Sequence, residues 1–102
     1  MSAPRFSFAA EVREWEGPAA WYFLLLPNDV ADDIADLVEG RPRAGFGSVR
    51  VEVTIGGSVW RTSIFPSKKD RTYLLPVKKS VRVAEGIEDG DRARLELRIV
   101  DE

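Results

Sequence analysis

The chain has 102 residues, of which 44% are hydrophobic and 31% charged, and its formal net charge is -2. This length allows one domain with a single core, and the mixture of charges excludes a disordered segment and a general polyanion-binding role. The absence of cysteine and histidine excludes disulfides, thiolate nucleophiles, sulfur-based zinc sites and the usual neutral-pH proton shuttle. No stretch is long and apolar enough for a bilayer and the N-terminus lacks a signal-peptide layout, so we expect a cytoplasmic protein without a membrane partner.

The first half of the chain predicts two strands and a helix, followed by a third strand. Residues 6–12 carry apolar side chains at every second position, which is typical of a strand with one buried face. The apolar run "WYFLLLP" predicts a strand buried on both sides and ended by Pro27. The next segment predicts a helix capped by Asn28 or Asp29 and stopped by Gly40. Its inward stripe consists of Val30, Ile34, Leu37 and Val38.

The same order of elements returns in the second half. The first half ends with the third strand, which the alternating apolar residues of "SVRVEVTI" predict. The "GG" after it predicts a hairpin turn into a fourth strand, "SVWRTSIFP", which begins the second half. A strand ended by Pro76, a short helix stopped by Gly86 and a final alternating strand follow. The chain is therefore predicted to be one domain, residues 1–102, made of two strand-strand-helix-strand halves at approximately residues 1–55 and 56–102. Neither half can bury a sheet face alone, so together they predict a mainly β, six-stranded barrel with two short helices.

The stretch "YLLPVKKSVRVAEGIEDGDRARLEL" resembles the swapped-hairpin module of bacterial transition-state regulators and antitoxins. The matching positions are Leu75, Pro76, Lys79, Arg82, Gly86, Ile87, Gly90 and Asp91. The resemblance implies a double-split β-barrel. Two chains form one barrel in those regulators, whereas the internal duplication would let a single chain supply both halves here.

Over nearly its full length the sequence is similar to a bacterial family, the domain of unknown function DUF1905. The residues that carry this similarity are Phe8, Trp21, Phe23, Leu26, Pro27, Gly47, Val49 and Val51, with the stretches "IGGSVWRTSIFP", "YLLPVKKSVR" and "GIEDGD". The resemblance implies the same double-split barrel superfold, and in some of its proteins the domain lies beside a second domain linked to bacteriocin protection. It therefore predicts the fold rather than an activity.

Charge is distributed unequally along the chain. The segment from Ser58 to Arg82 holds seven basic residues against the single acid Asp70, whereas residues 1–55 hold five basic and nine acidic residues. Either this is a solvated charged surface, or it is an anion site in which the cations of "FPSKKDRTY" lie close to the basic start of the second helix. The candidate ligand-binding residues are Trp60, Arg61, Ser67, Lys68, Lys69, Arg71, Lys78, Lys79 and Arg82.

The large aromatic residues also have two interpretations. They are Trp15, Trp21, Tyr22, Trp60 and Tyr73, and they belong either to the core or to a pocket at an open end of the barrel, where rings beside Arg61 and Ser63 could stack on a planar ligand. Strict alternation in "SVWRTSIF" places Trp60, Thr62 and Ile64 on one face. The opposite face carries Val59 and Phe65, so periodicity does not decide which face is buried.

Nucleic acid and metal are weaker possibilities. The resemblance to the regulators implies that Arg71, Lys78, Lys79 and Arg82 could contact a DNA duplex. A symmetric dimer of the regulator type would present a second basic helix to the duplex. The first helix of this chain is acidic instead and would repel phosphate, because it carries Asp29, Asp32, Asp33, Asp36 and Glu39.

The acidic pairs at i and i+4 on this helix could hold calcium or magnesium. Acidic residues also complement the helix dipole, however, and we predict no cofactor.

Catalysis has little support in the sequence. The neighbours Ser67 and Lys68, the neighbours Lys79 and Ser80, and the nearby Glu14 and Glu16 lack a recognisable supporting shell. We therefore predict a non-enzymatic, monomeric or weakly self-associating binding module for an anionic small molecule or a protein partner at the basic residues. The alternative is a nucleic-acid-binding module.

Overall fold

The computed structural model describes residues 4–15, 21–40 and 47–100, which contain six strands and two helices. In chain order these elements are β1 (Arg5–Trp15), β2 (Trp21–Leu25), α1 (Asn28–Val38), β3 (Val49–Ile55), β4 (Ser58–Ser67), β5 (Thr72–Val77), α2 (Lys79–Glu85) and β6 (Arg92–Ile99). All pairings are antiparallel, and the strands close into a barrel in the order β1-β2-β5-β4-β3-β6. The predicted six-stranded barrel of two strand-strand-helix-strand halves is confirmed.

The two longest strands connect the two sides of the barrel. The first part of β1 pairs with β6 as far as Glu11, and its last part, from Val12, pairs with β2. In the same way β4 pairs with β3 as far as Ile64 and with β5 from Phe65 onward. One side therefore consists of β3, β6 and the first parts of β1 and β4, and the other of β2, β5 and the last parts of β1 and β4.

Inward-facing apolar side chains from all six strands fill the barrel. Alternation is strict in β3 and β6, where Val51, Val53 and Leu97 are fully buried while the residues between them are partly or fully exposed. Helix α1 adds Val30, Ala31, Ile34 and Val38 to this core, and α2 adds Val81. The inward faces predicted for the third and last strands are confirmed.

Two local expectations are wrong, and a third is met. Pro76 does not end its strand, because β5 continues to Val77 and Pro76 lies opposite Phe23 of β2. On the other side of β5, β4 pairs only as far as Leu74, so the N–H that proline lacks interrupts no pairing with β4. Leu37 does not face the core, because 38% of it is exposed. Gly40 has the left-handed conformation of a helix stop, with a φ of 79°, and directly follows the C-cap residue Glu39, as predicted.

The start of α1 is held by long-range contacts rather than by a cap. Among the described residues no side chain caps this helix, although both Asn28 and Asp29 were candidates. The Asn28 side-chain amide instead donates to the carbonyl oxygen of Arg71 at 3.2 Å, and the Asp29 carboxylate accepts from the N–H of Val30. Nearby, the buried Thr72 hydroxyl donates to the carbonyl oxygen of Leu26 at 2.7 Å. These bonds fix the β4–β5 turn against the start of α1.

Candidate functional site

Apolar side chains cover the outer surface of β2, β5 and the adjoining ends of β1 and β4. We call this surface the aromatic face, and it comprises Trp15, Trp21, Phe23, Leu25, Phe65, Leu74 and Pro76. In the register, Trp15 lies opposite Trp21, and Leu74 lies between Leu25 and Phe65. Residues opposite each other on neighbouring strands point to the same side of a sheet. Trp15 is 48% and Phe65 43% exposed, so the face is only partly covered by its own chain.

Three of these rings pack against one another. The ring centroids of Trp15 and Trp21 are 5.7 Å apart, those of Trp21 and Phe23 5.6 Å, and those of Trp15 and Phe23 6.1 Å. The last pair has an edge-to-face arrangement and the other two are tilted, which are favourable geometries for aromatic pairs. The cluster therefore holds the exposed ring of Trp15 in a defined position.

A cleft of about 650 Å³ lies on the aromatic face. Its apolar lining consists of Trp15, Phe23, Leu25, Phe65, Pro66 and Leu74, and its polar lining of Arg13, Glu14, Ser67, Lys69, Asp70 and Asp89. An apolar floor with a few polar groups at its rim is the usual make-up of a ligand site, and the volume lies within the range of about 300–1,000 Å³ for such sites.

Contacts within the chain already engage part of the polar rim. Asp70 accepts a hydrogen bond from the Ser67 hydroxyl at 2.8 Å, and Asp89 accepts one from the N–H of Glu14 at 2.8 Å. The Arg13 Nε lies 4.0 Å from the Glu11 carboxylate, at an exposed position. Lys69 makes no ion pair with any residue that the structure describes. Its ammonium group is therefore available to an external anion.

Trp60 and Arg61 point to opposite sides of β4. Trp60 is 8% exposed and packs in the core opposite Val53, so it does not reach the aromatic cleft. Arg61 points outward, where its Nε lies 3.5 Å from Glu52 on β3. The two interpretations of the alternation in "SVWRTSIF" are thus resolved: Trp60 faces inward and Phe65 outward. A pocket that combines Trp60 with Arg61 is not formed.

The basic residues at Ser67–Arg71 and at Lys78 and Lys79 are not close together, contrary to expectation. The first group forms the β4–β5 turn and the second begins α2, so all of β5 separates them. The six residues of β5 keep these two groups roughly 20 Å apart, at about 3.3 Å per residue. The basic patch predicted from the sequence is therefore divided between two ends of the barrel.

The residues of the β4–β5 turn also face two different clefts. Ser67 and Lys69 line the aromatic cleft, whereas Lys68 and Arg71 line a smaller cleft of about 240 Å³ against α1, where Asp32 is also found. Arg71 has a positive φ of 57°, which is unusual for a residue with a side chain. Its carbonyl oxygen is the acceptor of the Asn28 bond that fixes the turn.

Arg82 lies over an aromatic ring. Its guanidinium carbon is 3.5 Å from the centroid of the Tyr22 ring, a cation–π geometry. Its Nε is buried and has no hydrogen-bond partner among the described residues. Arg82 therefore serves to pack α2 against β2, and Lys78 and Lys79 are the exposed cations at this end of the barrel.

The cleft residues that sequence reasoning missed are Phe23, Leu25, Phe65 and Leu74. A signal for them was present, because "WYFLLLP", "SVWRTSIF" and "TYLLP" carry apolar residues on both faces of their strands. The first pattern was interpreted as a strand buried on both sides. The structure instead leaves the outer side chains of β2 half-buried, which produces the floor of the cleft.

Residues 4–15, 21–40 and 47–100 contain neither a candidate metal cluster nor a membrane-spanning helix. Within these ranges, no three acidic side chains are grouped closely enough to hold a metal ion. Neither described helix has the length and apolar character needed to cross a bilayer.

Comparison with known proteins gives a family assignment. No match was found among curated proteins. The family described as a domain of unknown function, DUF1905, matches residues 8–97, which include all of β2, β3, β4 and β5 and therefore the greater part of the aromatic face. Because this match covers most of the chain, the protein belongs to the DUF1905 family.

Proposed function

We propose that this protein is a non-enzymatic binding module that holds an anionic small molecule in the aromatic cleft. One observation carries the proposal: a cleft of about 650 Å³ combines exposed aromatic rings with Lys69, which has no ion pair among the described residues. The apolar part of a ligand would cover the rings, and its negative group would meet Lys69. The size of the cleft favours a small molecule over a protein partner.

The contacts of Ser67 support binding rather than catalysis. The Ser67 hydroxyl donates to Asp70 Oδ2 at 2.8 Å and accepts from the N–H of Asp70 at 3.3 Å. Both bonds lie within the β4–β5 turn, so this hydroxyl stabilises the turn instead of being poised as a nucleophile. The cytoplasmic location and the monomeric or weakly associating state expected from the sequence belong to the same proposal.

The proposal is tested with anilinonaphthalene sulfonate, a fluorescent aromatic anion, and with the neutral phenylnaphthylamine. We expect the anion to bind the folded protein, and Lys69→Met to weaken its binding about fivefold, the upper range for one exposed ion pair. Lys78→Met is the matched control, because Lys78 is exposed and lies at the opposite end of β5, outside the cleft. Equal effects of both substitutions, or none from either, would contradict the proposal, provided thermal melting shows that the variants are folded.

Nucleic acid is the second candidate, because cations without ion pairs among the described residues lie at both ends of β5. Against it, a nucleic acid brings several phosphates, and in the cleft Lys69 could meet only one of them while Glu14, Asp70 and Asp89 would repel the others. We expect single-stranded and duplex oligonucleotides not to bind at about 0.15 M salt. Binding that weakens steeply with salt and is lost on reversing Lys68, Lys69, Lys78 and Lys79 to Glu would favour this candidate instead.

A further inference from the structure

The two exposed rings of the aromatic face lie at its opposite corners. Trp15 is on β1 and Phe65 on β4, with β2 and β5 between them. Across the sheet, three strand spacings of about 4.8 Å separate Trp15 from Phe65. Along β2, the positions opposite these two rings, Trp21 and Leu25, are four residues apart, so the rings lie roughly 15–20 Å from each other. Phe23, Leu25 and Leu74 form the floor between them. The apolar surface is therefore elongated.

The two ends of this surface differ in charge. At the Phe65 end of the cleft, Lys69 and Asp70 supply one charge of each sign, because Lys68 and Arg71 of the same turn line the smaller cleft against α1. At the Trp15 end, Arg13 is accompanied by the carboxylates of Glu14 and Asp89. Within the lining of the cleft the charges balance at the first end, whereas two carboxylates outnumber one guanidinium at the second, so an anionic group is favoured at Lys69.

We propose that the ligand of the cleft is an elongated amphipathic anion, whose carboxylate or phosphate head binds at Lys69 and whose apolar tail extends across Phe23 and Leu25 to Trp15. This inference rests on the proposed function and adds the shape and orientation of the ligand. The charge difference between the two ends fixes the orientation, and the distance between the exposed rings fixes the length.

A series of straight-chain carboxylates from butyrate to dodecanoate tests the inference, with dissociation constants measured by calorimetry. We expect affinity to rise about fourfold for each added methylene until the tail reaches Trp15, and then to level off. Trp15→Ala should weaken the longest acids and leave the shortest unchanged, whereas Phe65→Ala should weaken all of them. Lys69→Met should weaken decanoate without affecting decanol, and Lys78→Met should affect neither.

The outcomes separate this inference from the proposed function. If aromatic anions bind at Lys69 but affinity for the carboxylates does not depend on chain length, the proposed function stands and the elongated ligand is wrong. If no anion binds, both fail. If Trp15 becomes buried as protein concentration rises, with no ligand present, a second copy of the chain occupies the face and the inference is wrong.

Discussion

Glu52 shows how single residues shape the polar side of the barrel. It lies on the outer side of β3, directly between Arg61 of β4 and Arg98 of β6. One carboxylate oxygen is 3.1 Å from Arg98 and the other 3.5 Å from Arg61. The hydrogen bond from Arg98 lowers the pKa of Glu52 below its ordinary value of 4.5, with smaller contributions from the charge of Arg98 and from Arg61, while partial burial acts in the opposite direction.

This pKa shift predicts a pH dependence of stability. Because the pKa is lowered on folding, the unfolded chain binds the proton more readily, so the stabilisation is fully present above the ordinary pKa and is lost as pH falls through the folded value. We expect Glu52→Gln to lower the urea midpoint near pH 7 and to have a smaller effect at pH about 3. In an Arg98→Met background most of this pH dependence should disappear. An equal effect of Glu52→Gln at both pH values would contradict the prediction.

Helix α2 shows which features of an element the sequence determines. Its end is local: Gly86 adopts the left-handed conformation, and the N–H of Ile87 donates to the carbonyl oxygen of Arg82 at 2.9 Å. The predicted stop was therefore correct. Its attachment to the barrel is not local, because the hydroxyl of Ser58, at the start of β4, donates to the carboxylate of Glu85, at the end of α2, at 2.6 Å. No pattern within the helix indicates that bond.

The left-handed Gly86 supports a prediction about stability. Its φ is 66°, and an added Cβ would meet no atom within 4 Å, so Gly86→Ala tests backbone conformation without a steric clash. We expect a loss of about 1 kcal/mol in the free energy of unfolding, measured by urea denaturation. Gly57→Ala is the control, since it also meets open space without a positive φ, and should change stability by less than about 0.5 kcal/mol. Equal effects at both positions would refute this explanation.

At the start of α1 the same local reasoning failed. The side chain of Asn28 is of the right type for a cap, but Pro27 occupies the cap position, and the Asn28 amide N–H donates to the carbonyl oxygen of Arg71, more than forty residues away. Likewise, Pro76 was predicted to end β5, whereas β4 has already separated from that strand at this point. Both errors arise because the local pattern does not reveal which strands are neighbours.

In the whole molecule, barrel closure creates two unlike outer surfaces. On one side, Arg5 pairs with Glu96 at 3.1 Å, and Glu52 pairs with Arg61 and Arg98. The other side is the aromatic face. Strand periodicity predicted the barrel and its inward residues in β3 and β6, but not the cleft, because β2 and β4 are apolar on both faces. Only the pairing of β2 with β5, and of β5 with β4, brings Leu25, Leu74 and Phe65 together.

The pairing pattern also predicts how the two halves depend on each other. Among the described strands, the β1–β2 and β4–β5 pairings lie within a half, whereas β2–β5, β3–β4, β3–β6 and β1–β6 join the halves. In an isolated first half, β3 would have no partner strand. We therefore expect residues 1–55 and residues 56–102, produced separately, to show no cooperative thermal unfolding, because a hairpin with a lone strand cannot bury a core.

Mixing the two fragments should restore a cooperative transition and the near-ultraviolet circular dichroism of the buried Trp60. Leu97→Asp in the second fragment is the control, because Leu97 is fully buried and lies opposite Phe6 of β1 and Val53 of β3. A buried carboxylate at this junction should prevent complementation. Cooperative unfolding of either fragment alone would show that a half forms its own core, and the interdependence inferred from the strand pairing would be wrong.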